Sequence, residues 1–133
     1  MMNKDFFEHL VAEEFPNAIP EKFRGLIKNV AFLVEDEPSA EVRKVEHLDI
    51  NETLLGYYHG IPHTVRGENY GVGGVLPDTI TLFQLPIEEE AGELGGGEAA
   101  VRKVIRETIW HEVAHHFGMD EHEVQERERK NGA

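Results

Sequence analysis

Apolar positions recur at helical spacing in three stretches of the chain. Phe6, Phe7, Leu10, Val11 and Phe15 predict an amphipathic helix over residues 4 to 15, with Pro16 and Pro20 punctuating its end. Pro20 suits the start of a second, short helix carrying Phe23, Leu26 and Ile27. The longest pattern runs from Glu98 to Phe117, and Gly118 stands where such a helix should stop. Between these lie three β-branched and aromatic runs of strand length, NVAFLVED, LLGYYHG and TITLFQLPI, the last being the clearest. EDEPSAEVRKVEHLDINE reads as a polar loop with a short helical piece inside it. PHTVRGENYGVGGVLPD reads as a long glycine-rich connection. EEEAGELGGGE is expected to be a mobile acidic loop with no packing role, and residues 121 to 130 a short charged helix or frayed tail. Helices first, strands in the middle and a helix last predict an α+β fold with the long helix packed on one sheet. No internal repeat is present, and 133 residues suit one domain spanning 1–133.

The long helix changes character along its length. At about 100° per residue, Val101, Val104, Ile105 and Thr108 share one arc, and Arg102, Lys103 and Arg106 occupy the opposite one. Beyond Ile109, His111, Glu112 and His115 continue the inward arc, while Trp110, Val113 and Phe117 make the formerly solvated side apolar. A buried stripe of three ionisable groups is therefore expected where packing alone would select Leu or Val. Unpaired buried charge is costly, and a bound cation is one way to compensate it.

Composition narrows the choice of cation. With no cysteine in the chain, only His, Asp and Glu remain as strong ligands. His111 and His115, four residues apart, project from adjacent turns of one face, about the separation two ligands of one tetrahedral ion require. Glu112, beside the first, is placed to take and return the proton of a water that Zn²⁺ activates. This is the H-E-x-x-H arrangement in its required helical setting. Gly118 permits a sharp turn that brings the following residues back towards the ion. Asp120, Glu121 and His122 all then compete as the third ligand, with Glu126 and Glu128 further off; Glu121, at the motif's third-ligand position, is favoured over the others. A water in the fourth position would mark a catalytic site.

Charge excludes some functions. Lys+Arg is 13 and Asp+Glu is 26, a net charge of −13, so nucleic acid and anionic membranes are not expected partners. No signal peptide and no stretch of the roughly 18 apolar residues of a membrane span is visible, which predicts a cytoplasmic protein.

HEVAHHFG followed by a carboxylate resembles the metzincin pattern H-E-x-x-H-x-x-G-x-x-H, with Glu121 replacing the final His. The chain is more similar still to a family of small bacterial proteins with a minimal zincin-like fold. That similarity covers nearly the full length, through the N-terminal helices, NVAFLVEDEP, LLGYYHGIP, GVLPDTITLFQLPI and HEVAHHFGMDE. The resemblance implies a mixed β-sheet beside the active-site helix, zinc at that helix, and an acidic third ligand, as Glu121 would be. It implies a zinc metallopeptidase acting on a peptide or protein. Unlike metzincins, the chain has no methionine after Met119 to form a methionine turn.

Other residues offer weaker signals. TITLFQLPI is either a plain core strand or an edge to which an extended peptide adds. Tyr57, Tyr58 and Tyr70 are each capable of stabilising an oxyanion but more commonly pack. His59 and His63 sit in the glycine-rich middle as ordinary polar histidines. His116, about 100° around the helix from His115, reads as a surface or supporting residue. GVGGV lacks a phosphate-loop lysine, which argues against nucleotide binding. Two readings stand beside the peptidase: a zinc- or peptide-binding module with little turnover, and a metal-free polar network.

Overall fold

The computed structural model describes residues 1–25, 27, 29–60 and 77–117. In chain order these form α1 (Lys4–Ala18), α2 (Glu21–Arg24), β1 (Val30–Glu35), α3 (Ala40–Val45), β2 (Gly56–His59), β3 (Asp78–Phe83), α4 (Gln84–Glu93) and α5 (Gly97–His116). The strands make one mixed sheet in the order β1-β3-β2, with β1 parallel and β2 antiparallel to β3. The α+β class and the mixed sheet beside a long helix are as expected. Among the described residues, no helix is long and apolar enough to cross a membrane.

Register explains which side of the sheet carries the core. Ile80 pairs with Phe32 and Tyr58, and Leu82 pairs with Val34 and Gly56. Side chains alternate along a strand, so these residues share one face. Ile80 and Leu82 are fully buried there, in one cluster with Phe7, Leu10, Ile87, Ile105, Ile109 and Trp110. Helix α5 packs against α1, α4, β2 and β3. Phe15 of α1 meets Phe32 of β1 edge-on at 4.3 Å between ring centroids, and Phe23 of α2 meets Trp110 of α5 at 5.6 Å. β3 is the central strand, so the edge proposed for TITLFQLPI is absent and the core-strand reading stands.

Two sequence expectations need correction here. TITLFQLPI is not one strand: the chain turns into α4 at Gln84. The buried Gln84 side chain donates to Met2 O at 2.7 Å and to Glu88 Oε2 at 2.8 Å, which ties the new helix to the N-terminus. Pro86 falls in the first turn, where a missing N–H costs nothing. Accordingly EEEAGELGGGE is largely helical, and Ile87 and Ala91, four residues apart, are buried in the core. Only Leu94–Gly96 separates α4 from α5. Gly95, Gly96 and Gly97 have φ of 107°, 74° and 87°, a run that side-chain-bearing residues would resist.

The first helix likewise continues beyond its expected end, through Pro16 to Ala18. Pro16 lies in the last turn, and only one intrahelical bond is lost to it. Arg24 then accepts the task of closing the helix: its Nη2 donates to Pro16 O at 2.8 Å and its Nε to Ile19 O at 3.1 Å. Those carbonyls would otherwise lack partners.

Nor is the basic side of α5 simply solvated. Helix α1 covers it, and Glu14, with only 6% of its side chain exposed, receives Arg102 Nη1 at 2.7 Å and Arg106 Nη1 at 2.9 Å. Arg102 also reaches Glu13 at 2.9 Å and Glu98 at 3.0 Å. Burial alone would raise the Glu14 carboxyl, but the Arg106 and Arg102 hydrogen bonds outweigh it and hold the group below its ordinary value. A carboxylate with a depressed folded pKa stabilises the fold above its unfolded pKa and loses that effect as pH falls through the folded value. Replacing Glu14 with Gln should therefore cost about 2 kcal/mol at pH 7 in urea denaturation. The difference from wild type should shrink below about pH 4.3, where the unfolded carboxylate begins to protonate. A gap that stays constant from pH 7 to pH 3 would show that the charge is not its source.

Candidate metal and catalytic site

The described helix ends at His116, so the site is built on its last two turns. Here burial migrates around α5. Val101, Val104, Ile105 and Thr108 are buried in the first half, and Ile109, Trp110, Val113 and Ala114 in the second. The side expected to turn apolar does so at Trp110 and Val113, whereas Phe117 is exposed. The polar stripe, however, is not buried as expected. His111 and Glu112 are half-buried and His115 is exposed. The two sides meet different surroundings: Trp110 packs against Phe23, while Glu112 lies against β2 and accepts from Tyr58. A part-exposed stripe can be reached by a ligand, which a sealed one could not.

Glu112 is the most constrained of the three. Its Oε1 accepts the backbone N–H of Tyr58 at 3.1 Å, linking α5 to β2 across the mouth of the site. Burial raises the carboxyl above its ordinary value; the Tyr58 N–H, His115 and His111 each pull it back only in part. A raised carboxyl holds a proton more readily, the direction that favours taking one up from a water.

This contact exists because residue 56 is glycine. A Cβ there would lie 2.7 Å from Thr108 Cγ2, 3.3 Å from Thr81 O and 3.4 Å from Glu112 Cγ. The strand can approach the helix closely only without that atom. The sequence reading overlooked Gly56; its signal was a lone glycine within the strand pattern LLGYYHG.

His111 is oriented by its own helix. Its Nδ1 lies 3.1 Å from Glu107 O, and a carbonyl only accepts, so Nδ1 donates there and the neutral imidazole keeps its lone pair on Nε2. That is how a metal-binding imidazole is usually set. The His111 and His115 ring centroids are 5.9 Å apart. Rings whose nitrogens lie about 2 Å from one tetrahedral ion have centroids roughly 5 Å apart, so small side-chain rotations bring both onto it. The two imidazoles thus fit a zinc ion. Among the described residues, no group of three or more His, Asp or Glu is gathered to hold a metal. Glu121, the expected third ligand, lies outside the described residues, as do Asp120, His122, Glu126, Glu128, the turn at Gly118, Tyr70 and His63.

The remaining candidates divide by their contacts. Tyr58 donates its hydroxyl to Asp78 Oδ2 at 2.6 Å, and its ring stacks on His116 with centroids 3.9 Å apart. His116 Nε2 is 4.0 Å from the same Asp78 oxygen. Tyr58 therefore anchors the strand to the helix end, and His116 supports it. Asp78 was not anticipated, because no motif marks the first residue of a strand. Tyr57 and the exposed His59 stack on each other at 6.4 Å.

A family model described as zincin-like metallopeptidase matches residues 27–131, a span that takes in both histidines, Glu112 and Glu121 and begins after α1 and α2. No curated protein matches the chain.

If the close approach at Gly56 sets the Glu112 contact, Gly56→Ala should destabilise the protein by about 1–3 kcal/mol through overpacking. Adding Thr108→Ser, which removes Cγ2, should recover much of the loss in a double-mutant cycle. Additive effects would show that the two residues do not meet as described.

Proposed function

Because the chain belongs to the zincin-like metallopeptidase family, we propose that it is a zinc-dependent peptidase in which His111, His115 and Glu121 hold the metal. Glu112 serves as general base and then general acid. When bound, zinc polarises the scissile carbonyl and brings the pKa of water down towards ~7. Glu112 takes a proton from the attacking water as its oxygen bonds to the carbonyl carbon. The same carboxyl then delivers that proton to the amide nitrogen as the C–N bond breaks, so the carboxylate is regenerated.

The observation that carries this reading is the placement of Glu112. One oxygen is committed to the Tyr58 N–H, the carboxyl stands beside two helical histidines, and burial keeps its proton affinity high. A carboxylate retained only for solubility would not be fixed in a half-buried position between two elements. His111 is held by the Glu107 carbonyl in the tautomer that presents Nε2. Tyr58, engaged with Asp78, supports the strand rather than the reacting carbonyl.

Two experiments separate chemistry from metal binding. Glu112→Gln should retain zinc at the wild-type stoichiometry and lose about 10²-fold or more in peptide cleavage, the scale of general acid–base catalysis. Equal cleavage by variant and wild type would overturn the assignment. Zinc retained without cleavage by either would leave a binding module. Glu121→Ala should weaken zinc, in a competition titration against a chelator, by more than the roughly 10–100-fold typical of losing a supporting contact. Unchanged affinity would remove Glu121 from the ligand set.

A further inference from the structure

A cavity of about 370 Å³ lies between β2 and α5, with His111 and Glu112 in its lining. Its apolar lining comes from Leu54 and Leu55, on the segment leading into β2, and Val104 of α5. Besides Glu112, two carboxylates line it, Glu107 of α5 and Glu90 of α4, together with Thr53 and Thr108. Such a cavity offers aliphatic surface and carboxylates side by side.

We propose that this cavity is the pocket that selects the substrate, receiving the long cationic side chain of an arginine or lysine next to the bond being cleaved. The inference rests on the peptidase reading above and adds a substrate class to it. An arginine or lysine side chain has an apolar stem and a charged head, the two chemistries this cavity presents together. The stem lies along Leu54, Leu55 and Val104, and the head meets Glu90 and Glu107.

The charges support this occupant. Glu90 is exposed, with no hydrogen-bond or ion-pair partner among the described residues. Glu107 has one, Lys103 Nζ, at 4.0 Å, with side chains 57% and 42% exposed. An exposed pair at that distance is weak, and a substrate cation can replace the lysine. Glu90 also lines the adjoining surface groove, together with Glu89, Glu93, Glu37 and Glu52. The groove's cation, Arg43, donates to Glu52 O at 2.8 Å. A net charge of −13 extends the same preference over the whole surface and favours encounter with basic segments.

Binding tests the pocket apart from catalysis. Zinc-loaded Glu112→Gln protein would be titrated with capped pentapeptides, Ala-Ala-Xaa-Ala-Ala, where Xaa is Arg, norleucine or Glu. The Arg peptide should bind about fivefold or more tighter than the norleucine peptide, and the Glu peptide weakest. Glu90→Gln with Glu107→Gln should remove the Arg advantage. Glu21→Gln with Glu41→Gln, the same charge change on α2 and α3, should leave it. Equal binding of Arg and norleucine peptides, or an Arg advantage that survives Glu90→Gln/Glu107→Gln, would overturn the pocket. Digestion of a random peptide library by the wild-type protein separates the two readings. Cleavage enriched beside Arg or Lys supports both; cleavage without that enrichment overturns the pocket and leaves the peptidase. No cleavage defeats the peptidase, and the binding comparison still decides the pocket.

Discussion

A carboxylate held between a helix and a strand end by one backbone N–H organises this molecule's chemistry. Glu112 on α5 accepts from Tyr58 on β2, and the two elements are close enough only because Gly56 has no side chain. The contact acts in two ways. It fixes one carboxylate oxygen, and it sets the spacing of strand and helix that leaves a cavity beside His111. Tyr58 fixes the same junction from its other end, through its hydroxyl on Asp78 and its ring on His116. Small groups at close range thus determine where the larger polar ones stand.

Helix α5 can present such a site because its two halves bury different sides. The first half buries Val101, Val104 and Ile105, and the second is pinned at Trp110 against Phe23. Removing a buried Trp of this kind typically costs about 3–5 kcal/mol, enough to fix the rotation of the helix end. The arc that began as core therefore leaves the core as His111, Glu112 and His115. The half-buried depth that results raises the Glu112 proton affinity while keeping the histidines reachable. On the far side, Glu14 and the arginines Arg102 and Arg106 clamp α1 to the same helix.

Much of this was legible before any coordinates. The spacing of Val101, Val104, Ile105 and Thr108 marked α5 to within a residue at either end, and NVAFLVED and LLGYYHG contain β1 and β2. The H-E-x-x-H spacing put two imidazoles on adjacent turns, and they do stand near each other. What escaped were features that depend on partners distant in sequence. Periodicity takes TITLFQLPI as one strand, because nothing local reveals that Gln84 will bond to Met2. Composition takes EEEAGELGGGE as a loop, because the packing of Ile87 and Ala91 belongs to the tertiary structure. Helical projection placed the polar stripe on the right arc but not at the right depth, since one helix does not record what packs against it. Arg102 and Arg106 looked solvated for the same reason.

The central claim is that two imidazoles of α5 hold zinc beside Glu112, and X-ray absorption at the zinc edge tests it most directly. For the zinc-loaded protein the account predicts a first shell of two imidazole nitrogens with oxygen donors, and loss of one imidazole in each of His111→Ala and His115→Ala. A shell with fewer than two imidazoles in the wild type, or one that neither substitution changes, would contradict it.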